Sequence, residues 1–313
     1  MSYTKENTRI VYMGTPGISA GVLQGLLEAG FNVVGVICNP DKPQGRKGTL
    51  TPPPVKCVAC EHGIPVYQPA KIRLDYGFLE ELQPDVIVTM AYGQIVPKGV
   101  LEAPKKGCVN LHGSLLPALR GASPIQAALQ QGLTQTGVTL MQMVEAMDAG
   151  VMYDKEVVDI DEEDNFTSLA EKISAAATKL ILKDLIPYMN DELPGIPQNE
   201  DEVTVVGKIK PEDEHLDFSW DAKRLNNQIR ALSLTPGAYA MLDGLELKIL
   251  KARVIEGQTD AAPGTVVLAK KGFHVATGNG ILSLEEVQLS GKKAMDGKSF
   301  VNGYRDLLGK VLC

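Results

Sequence analysis

Five short apolar runs constrain this chain most: Arg9–Gly14, Asn32–Cys38, Asp85–Ala91, Gly107–His112 and Gly137–Val144. Each is six to eight residues long and strand-like; Asn32–Cys38 is rich in valine, and Asp85–Ala91 has the pattern of a strand buried on both faces. Between the first two, Ile18–Ala29 has helical periodicity and ends at Gly30, a glycine stop signal. Val55–His62 reads as a second helix and Pro65–Gln68 as a short strand. Strands alternating with helices predict a doubly wound, Rossmann-like parallel sheet. Ligands of such sheets sit beyond the carboxyl ends of the strands.

The texture changes along the chain. Phe166–Met189 predicts a long amphipathic helix, with Leu169, Ile173, Ala176, Leu180 and Leu185 near one stripe. Residues 190–206 are acidic and carry Pro194, Gly195 and Pro197, so they read as a linker. Beyond them come short strand-like runs at Gly244–Val254, Gly264–Leu268, Gly272–Ala276 and Gly280–Gln288, separated by glycine turns, with one helix at Arg224–Leu232. That pattern predicts a small β-barrel, with an oligonucleotide-binding-like (OB-like) barrel as one candidate. The expected organisation is therefore an α/β catalytic domain at 1–189, a linker at 190–206 and a β-barrel domain at 207–313.

Composition narrows the setting. Hydrophobic residues make up 44% of the 313 and charged residues 22%, ordinary for a globular enzyme. No apolar run approaches the ~20 residues of a membrane helix, and Met1–Arg9 is polar, so no membrane partner is expected. Five scattered cysteines do not form a disulfide framework, which points to the cytoplasm. The net charge of -7 is unevenly spread. Residues 1–143 carry 12 Lys/Arg against 9 Asp/Glu, residues 144–202 carry 4 against 16, and residues 203–313 carry 15 against 13. An acidic total leaves room for a nucleic-acid partner on the more basic ends, because charge acts locally under screening.

The chemistry concentrates in Cys108–Pro124. Asn110 and His112 are two apart on a strand, so their side chains share a face. Asp148 follows another predicted strand. An amide donor, an imidazole and a carboxylate suit attack of an amine on a carbonyl carbon. Asn110 and a protonated His112 would stabilise the oxyanion, while Asp148 would orient His112 and help take up the amine proton. Read from spacing alone, a strand-end histidine that merely caps a loop is an equal alternative. Other signals point elsewhere. Cys57-Val-Ala-Cys60 has no matching pair, so no metal is expected and helix packing is the simpler role. The first strand–helix turn has no Gly-x-Gly-x-x-Gly, which disfavours a nicotinamide cofactor.

Asn-Leu-His-Gly-Ser-Leu-Leu-Pro at 110–117, Arg120-Gly121, Pro124 and Asp148-Ala-Gly150 resemble the signature of the folate-dependent formyltransferases. Met13-Gly14-Thr15-Pro16 and Ala91-Tyr92-Gly93 fit the same family. Further motifs resemble the branch that acts on an aminoacyl-tRNA. They include Pro-Val-Lys at 54–56, Leu-Asp-Phe-Ser-Trp at 216–220 and Gly-Lys-Lys-Ala-Met at 291–295.

The resemblance implies transfer of the formyl group of 10-formyltetrahydrofolate to the α-amine of methionine on initiator tRNA, for translation initiation. It implies catalytic roles for Asn110, His112 and Asp148, and a folate-contacting loop of Ser114, Leu115, Leu116 and Pro117. It also implies that the Pro- and Gly-rich stretch 39–56, expected as a long loop, docks on the tRNA acceptor stem through Lys42, Arg46 and Lys47. A monomer is expected. Two features depart from the family pattern. Gly17 and Ile18 stand where an acidic residue and a phenylalanine are usual, and Ala118 and Leu119 replace a basic-aromatic pair. Rival readings are a formyltransferase for a nucleotide amino-sugar, a hydrolase releasing formate from the same folate, and a non-catalytic tRNA-binding protein.

Overall fold

The computed structural model describes residues 2–45, 48–233, 235–304 and 306–313. The strands are β1 (Ile10–Gly14), β2 (Val33–Ile37), β3 (Lys42–Gln44), β4 (Thr49–Thr51), β5 (Val66–Tyr67), β6 (Val86–Met90), β7 (Cys108–His112), β8 (Arg120–Gly121), β9 (Gln135–Gln142), β10 (Met152–Asp159) and β11 (Val205–Val206). Then come β12 (Ala238–Leu242), β13 (Leu245–Ile255), β14 (Val266–Leu268), β15 (His274–Ala276), β16 (Ile281–Leu289) and β17 (Met295–Asp296). The helices are α1 (Gly17–Glu28), α2 (Pro54–Glu61), α3 (Phe78–Leu82), α4 (Lys98–Leu101), α5 (Pro124–Gln130), α6 (Phe166–Met189), α7 (Ala222–Ala231) and α8 (Gly297–Gly303).

The chain forms two compact units. The first comprises residues 1–121, 135–159 and 170–206; the second comprises 122–134, 160–169 and 207–313. The first is built on a seven-stranded sheet in the order β10-β9-β7-β6-β1-β2-β5. β1 pairs in parallel with β2 on one side and β6 on the other, and β7 continues the parallel run. The strand order therefore reverses at β1, which places a crevice beyond its carboxyl end. β1 and β6 are buried at every residue, as two-sided cover by helices requires. On one face Val11, Met13 and Ile87 join Ile37, Leu79, Leu82, Val100 and Cys108 in one apolar cluster. Burial pushes the Cys108 thiol up to about 12, so this strand cysteine is inert packing.

Four features differ from the sequence expectations. First, β9 runs antiparallel to β7, and β10 antiparallel to β9, so the sheet is mixed at this edge. Second, the 39–56 stretch is not a plain loop: β3 and β4 pair as a small hairpin, with Lys42 opposite Thr51. Arg46 and Lys47 lie outside the described residues. Third, residues 190–206 are not a bare spacer. Ile196 exchanges backbone bonds with Met152, and β11 pairs with β8. Fourth, Cys57 and Cys60 face outward on α2, whose buried side is Val55 and Ala59.

The second unit holds an antiparallel sheet in the order β12-β13-β16-β15-β14, with β17 on β16. The end of the chain closes it. Cys313 exchanges two backbone bonds with Met241 of β12, while Lys310 and Leu312 bond to Val266 and Gly264 at β14. Both open edges are thus used up, which is how small barrels avoid exposed edge strands. α7 starts at Asp221, whose carboxylate accepts from the Arg224 amide, and lays Leu225 and Ile229 into the interior with Phe218, Phe273 and Phe300. No helix among the described residues is long and apolar enough to cross a membrane.

One buried charge in the first unit gives a pH test. Asp184 on α6 is 3% exposed, and burial together with neighbouring Asp154 raises its carboxyl to about 6 despite the adjacent Lys183 ammonium. A raised native value means that the folded state holds this proton more tightly than the unfolded chain. The stabilising contribution is full below the ordinary carboxylate value and is lost as pH rises to about 6. Asp184→Asn should therefore raise the thermal midpoint at pH 7.5 by about 2–6 °C, with the gain shrinking toward pH 4. Calorimetry across that range checks it; an unchanged or lowered midpoint at pH 7.5 contradicts it.

Candidate active site

β7 places the first two groups. Its apolar residues alternate into the sheet's two cores, so Asn110 and His112 share a face at its carboxyl end. Asn110 sits beside Thr89 of β6 and Met141 of β9, half-buried. Among the described residues its carboxamide has no side-chain hydrogen bond, leaving both its donor and its acceptor for a ligand. His112 is 5% exposed. Its Nε2 lies 2.9 Å from the Leu119 carbonyl, which can only accept, so Nε2 carries hydrogen. Its Nδ1 lies 3.6 Å from Asp148 Oδ1. One ring nitrogen is thus hydrogen-bonded to a carbonyl, and a carboxylate faces the other just beyond hydrogen-bond length.

Asp148 reaches that position by an unexpected route. Because β9 is reversed, its end at Gln142 pairs beside Val109, near the start of β7 rather than its end. The 143–151 loop turns back to bring Asp148 to His112. Asp148 adopts a left-handed backbone, φ 52°, and its second oxygen, Oδ2, accepts from the Gly121 amide at 2.9 Å. One carboxylate thus faces the imidazole and fastens the segment that follows β7.

The 113–121 segment is held from several sides. Thr139 Oγ1 donates to the Ser114 carbonyl at 2.7 Å and accepts from the Leu116 amide at 3.0 Å. Ser114 Oγ donates to the Ala118 carbonyl at 2.6 Å, and Lys155 Nζ donates to the Leu116 carbonyl at 2.5 Å. The Leu116–Pro117 peptide is cis. Of the four residues expected to meet the folate, Ser114 and Leu116 are fully buried with their polar groups spent on this network, whereas Leu115 and Pro117 are half-buried. Of the four, Leu115 and Pro117 are thus the ones that remain partly accessible. Leu115 is seated over Gly137 of β9, where a Cβ would come within 2.5 Å of it.

The acidic segment after α6, expected as a spacer, supplies the remaining supports. The Leu119 amide donates to Thr204 Oγ1 at 2.8 Å and the Arg120 amide to the Thr204 carbonyl at 2.8 Å. Arg120, 8% exposed, donates from Nε to Gln198 Oε1 at 2.9 Å and from Nη2 to Glu200 Oε1 at 2.8 Å. The hydrogen bond from Arg120 holds the Glu200 carboxyl below the usual carboxylate range. Gln198, Glu200 and Thr204 were not singled out by motif or periodicity. Their only sequence signal is polarity in a proline-containing stretch, which reads equally as a linker.

At the neighbouring strand ends, Asn39 Nδ2 and Thr15 Oγ1 both donate to the Tyr92 carbonyl, and Gln94 Nε2 donates to Asn39 Oδ1. These bonds fix the rim around the β1–β6 switch point. Gly17 is exposed and Ile18 is half-buried at the start of α1. No group of three metal-ligating side chains occurs among the described residues.

The basic positions divide. Lys42 on β3 is exposed, while Lys56 is paired with Asp41 at 2.8 Å. In the second unit Lys251 pairs with Glu163 at 3.2 Å, and Lys248 donates to the Pro236 carbonyl at 2.7 Å. Lys208, Lys270, Lys271, Lys292 and Lys293 are exposed.

Gly121 is a tight point of the network. Its φ is +119°, and a Cβ there would stand 2.1 Å from the Val206 carbonyl oxygen. Gly121→Ala should cost on the order of 1–3 kcal/mol. The variant should melt earlier and lose activity, whereas Gly77→Ala, where a Cβ meets nothing within 4 Å, should do neither. Paired melting and turnover measurements decide this.

Known proteins share this architecture. The formyl transferase family model matches residues 8–185, and the formyl transferase C-terminal domain model matches 208–305. A methionyl-tRNA formyltransferase of Bacillus subtilis is 48% identical over 309 residues, covering 97% of this chain and 98% of that protein. Among solved structures, HypX from Aquifex aeolicus in complex with tetrahydrofolic acid aligns with a TM-score of 0.67 at 16% identity. The alignment covers 96% of this chain and 48% of HypX, so this chain spans about half of that protein's length. The methionyl-tRNA formyltransferase from Clostridium thermocellum aligns with a TM-score of 0.57 at 18% identity, covering 93% of this chain and all of the other. At those identities the two solved structures speak to the fold alone.

Proposed function

The chain belongs to the formyl transferase family, and we propose that it moves the formyl group of 10-formyltetrahydrofolate to the α-amine of methionine carried on initiator tRNA. The observation that carries this reading is the 48% identity to the Bacillus subtilis methionyl-tRNA formyltransferase across 97% of the chain, both family regions included. A relative sharing only the first region would support the chemistry without the acceptor.

In this reading the methionyl amine attacks the formyl carbon of the folate. A C–N bond forms and the carbonyl electron pair moves onto oxygen. Asn110, with its free carboxamide, donates to that oxyanion in a partly desolvated site, where such a donor is worth most. His112, flanked by the Leu119 carbonyl and Asp148, adds positive charge close by as an imidazolium, and the Asp148 carboxylate helps take up the proton of the attacking amine. Collapse of the intermediate breaks the bond to the folate nitrogen, which leaves with the proton as tetrahydrofolate. Asp148 balances the charge on His112 and fixes the ring. Leu115 and Pro117 offer the apolar contact for the folate. No serine or cysteine nucleophile is needed, because the acceptor brings its own nitrogen.

The tRNA contacts belong to the same proposal. The β3–β4 hairpin carries Lys42, with Arg46 and Lys47 between its strands in the sequence, and the exposed lysines of the second unit offer further phosphate contacts. Residues 1–189 then hold the chemistry and 207–313 bind tRNA. The protein works in the cytoplasm as a monomer.

Asn110→Ala and His112→Ala should each lower kcat by about 10²–10⁴-fold, and Asp148→Ala by a comparable factor, with the fold intact. Steady-state turnover with charged initiator tRNA tests this. Undiminished turnover in all three would sink the assignment.

A further inference from the structure

Gln198 makes three hydrogen bonds that span the site. Its Nε2 donates to the carbonyls of Asp148, at 2.7 Å, and Gly150, at 2.9 Å. Its Oε1 accepts from Arg120 Nε at 2.9 Å. Arg120 immediately precedes Gly121, whose amide grips the Asp148 carboxylate. The carboxamide therefore ties the loop carrying Asp148 to the segment that follows His112, from a third stretch of chain.

From this geometry we infer that Gln198 is a positioning residue for formyl transfer, holding Asp148 against His112. The inference rests on the transfer reaction proposed above. Chemistry makes the residue type specific. Only a primary amide accepts from a guanidinium at one end and donates twice to carbonyls at the other. A glutamate of the same size would keep the arginine and set an anionic oxygen against two carbonyl oxygens. Asp148 needs such a hold because its left-handed backbone is disfavoured for a residue with a Cβ. Its loop also leaves β9 at the wrong end of β7 and has no strand pairing to aim it at His112. Arg120 is fixed in turn by Glu200, so Gln198 bonds to an anchored partner.

The test compares Gln198→Ala and Gln198→Glu with the unaltered protein. A space-filling role predicts that the glutamate variant, close in size, works normally and that alanine is the worse. A positioning role predicts the reverse: both lose kcat by about 10- to 100-fold, glutamate at least as much as alanine. The KM values for folate and tRNA should change little, and the pH profile of kcat should be displaced. In parallel, ¹⁵N-histidine spectra of the ligand-free protein should show a displaced His112 ring resonance, assigned through His112→Asn, while the melting temperature holds. Normal kcat in the glutamate variant, an unmoved His112 resonance, or a kcat loss matched by lost fold would each overturn the inference. If the unaltered protein transfers no formyl group, the functional reading fails, and the spectra still decide whether Gln198 positions the ring.

Discussion

Everything around the candidate site depends on one carboxylate serving two partners. Asp148 faces the His112 imidazole with one oxygen and receives the Gly121 amide with the other. The first contact gives the imidazole a counter-charge. The second ties the loop carrying Asp148 to the segment carrying Leu119, whose carbonyl takes the other ring nitrogen. His112 is thereby fixed by two loops that are themselves joined. Fixing the ring beforehand matters, because an electrostatic group that must reorganise during reaction loses much of its effect.

The arrangement is costly locally and is supported from a distance. Leu119 and Asp148 both hold left-handed backbones, and Gly121 approaches the Val206 carbonyl as only glycine can. Strained positions persist when their surroundings over-determine them. Here those surroundings are Thr139, Lys155, Gln198 and Thr204, drawn from β9, β10 and the segment leading to β11. The second unit solves a different problem. Its strands would leave two open edges, and the last residues of the chain pair with both.

Much of this was legible in the sequence. The apolar runs located β1, β2, β6, β7 and β9, and the two-residue spacing of Asn110 and His112 put both on one face. Propensity could not supply direction. The reversal of β9 leaves the same alternation as a parallel strand, so the true path of the Asp148 loop was hidden. β10 was missed because charges interrupt its apolar residues, as in Asp154-Lys155-Glu156. The 190–206 segment was misread because its structure comes from side chains of other elements. Gln198 and Thr204 bond to residues some 50 to 85 positions away, beyond any local signal. Cys57 and Cys60 were expected to pack inward, yet the buried side of α2 is set by Val55 and Ala59.

The most direct test of the account is single-turnover transfer of a labelled formyl group by the purified protein. The label should move from 10-formyltetrahydrofolate to the amine of methionyl initiator tRNA, with both substrates required and tetrahydrofolate formed in equal amount. Release of labelled formate without an acceptor, or transfer to a nucleotide amino-sugar in preference to the tRNA, would contradict it.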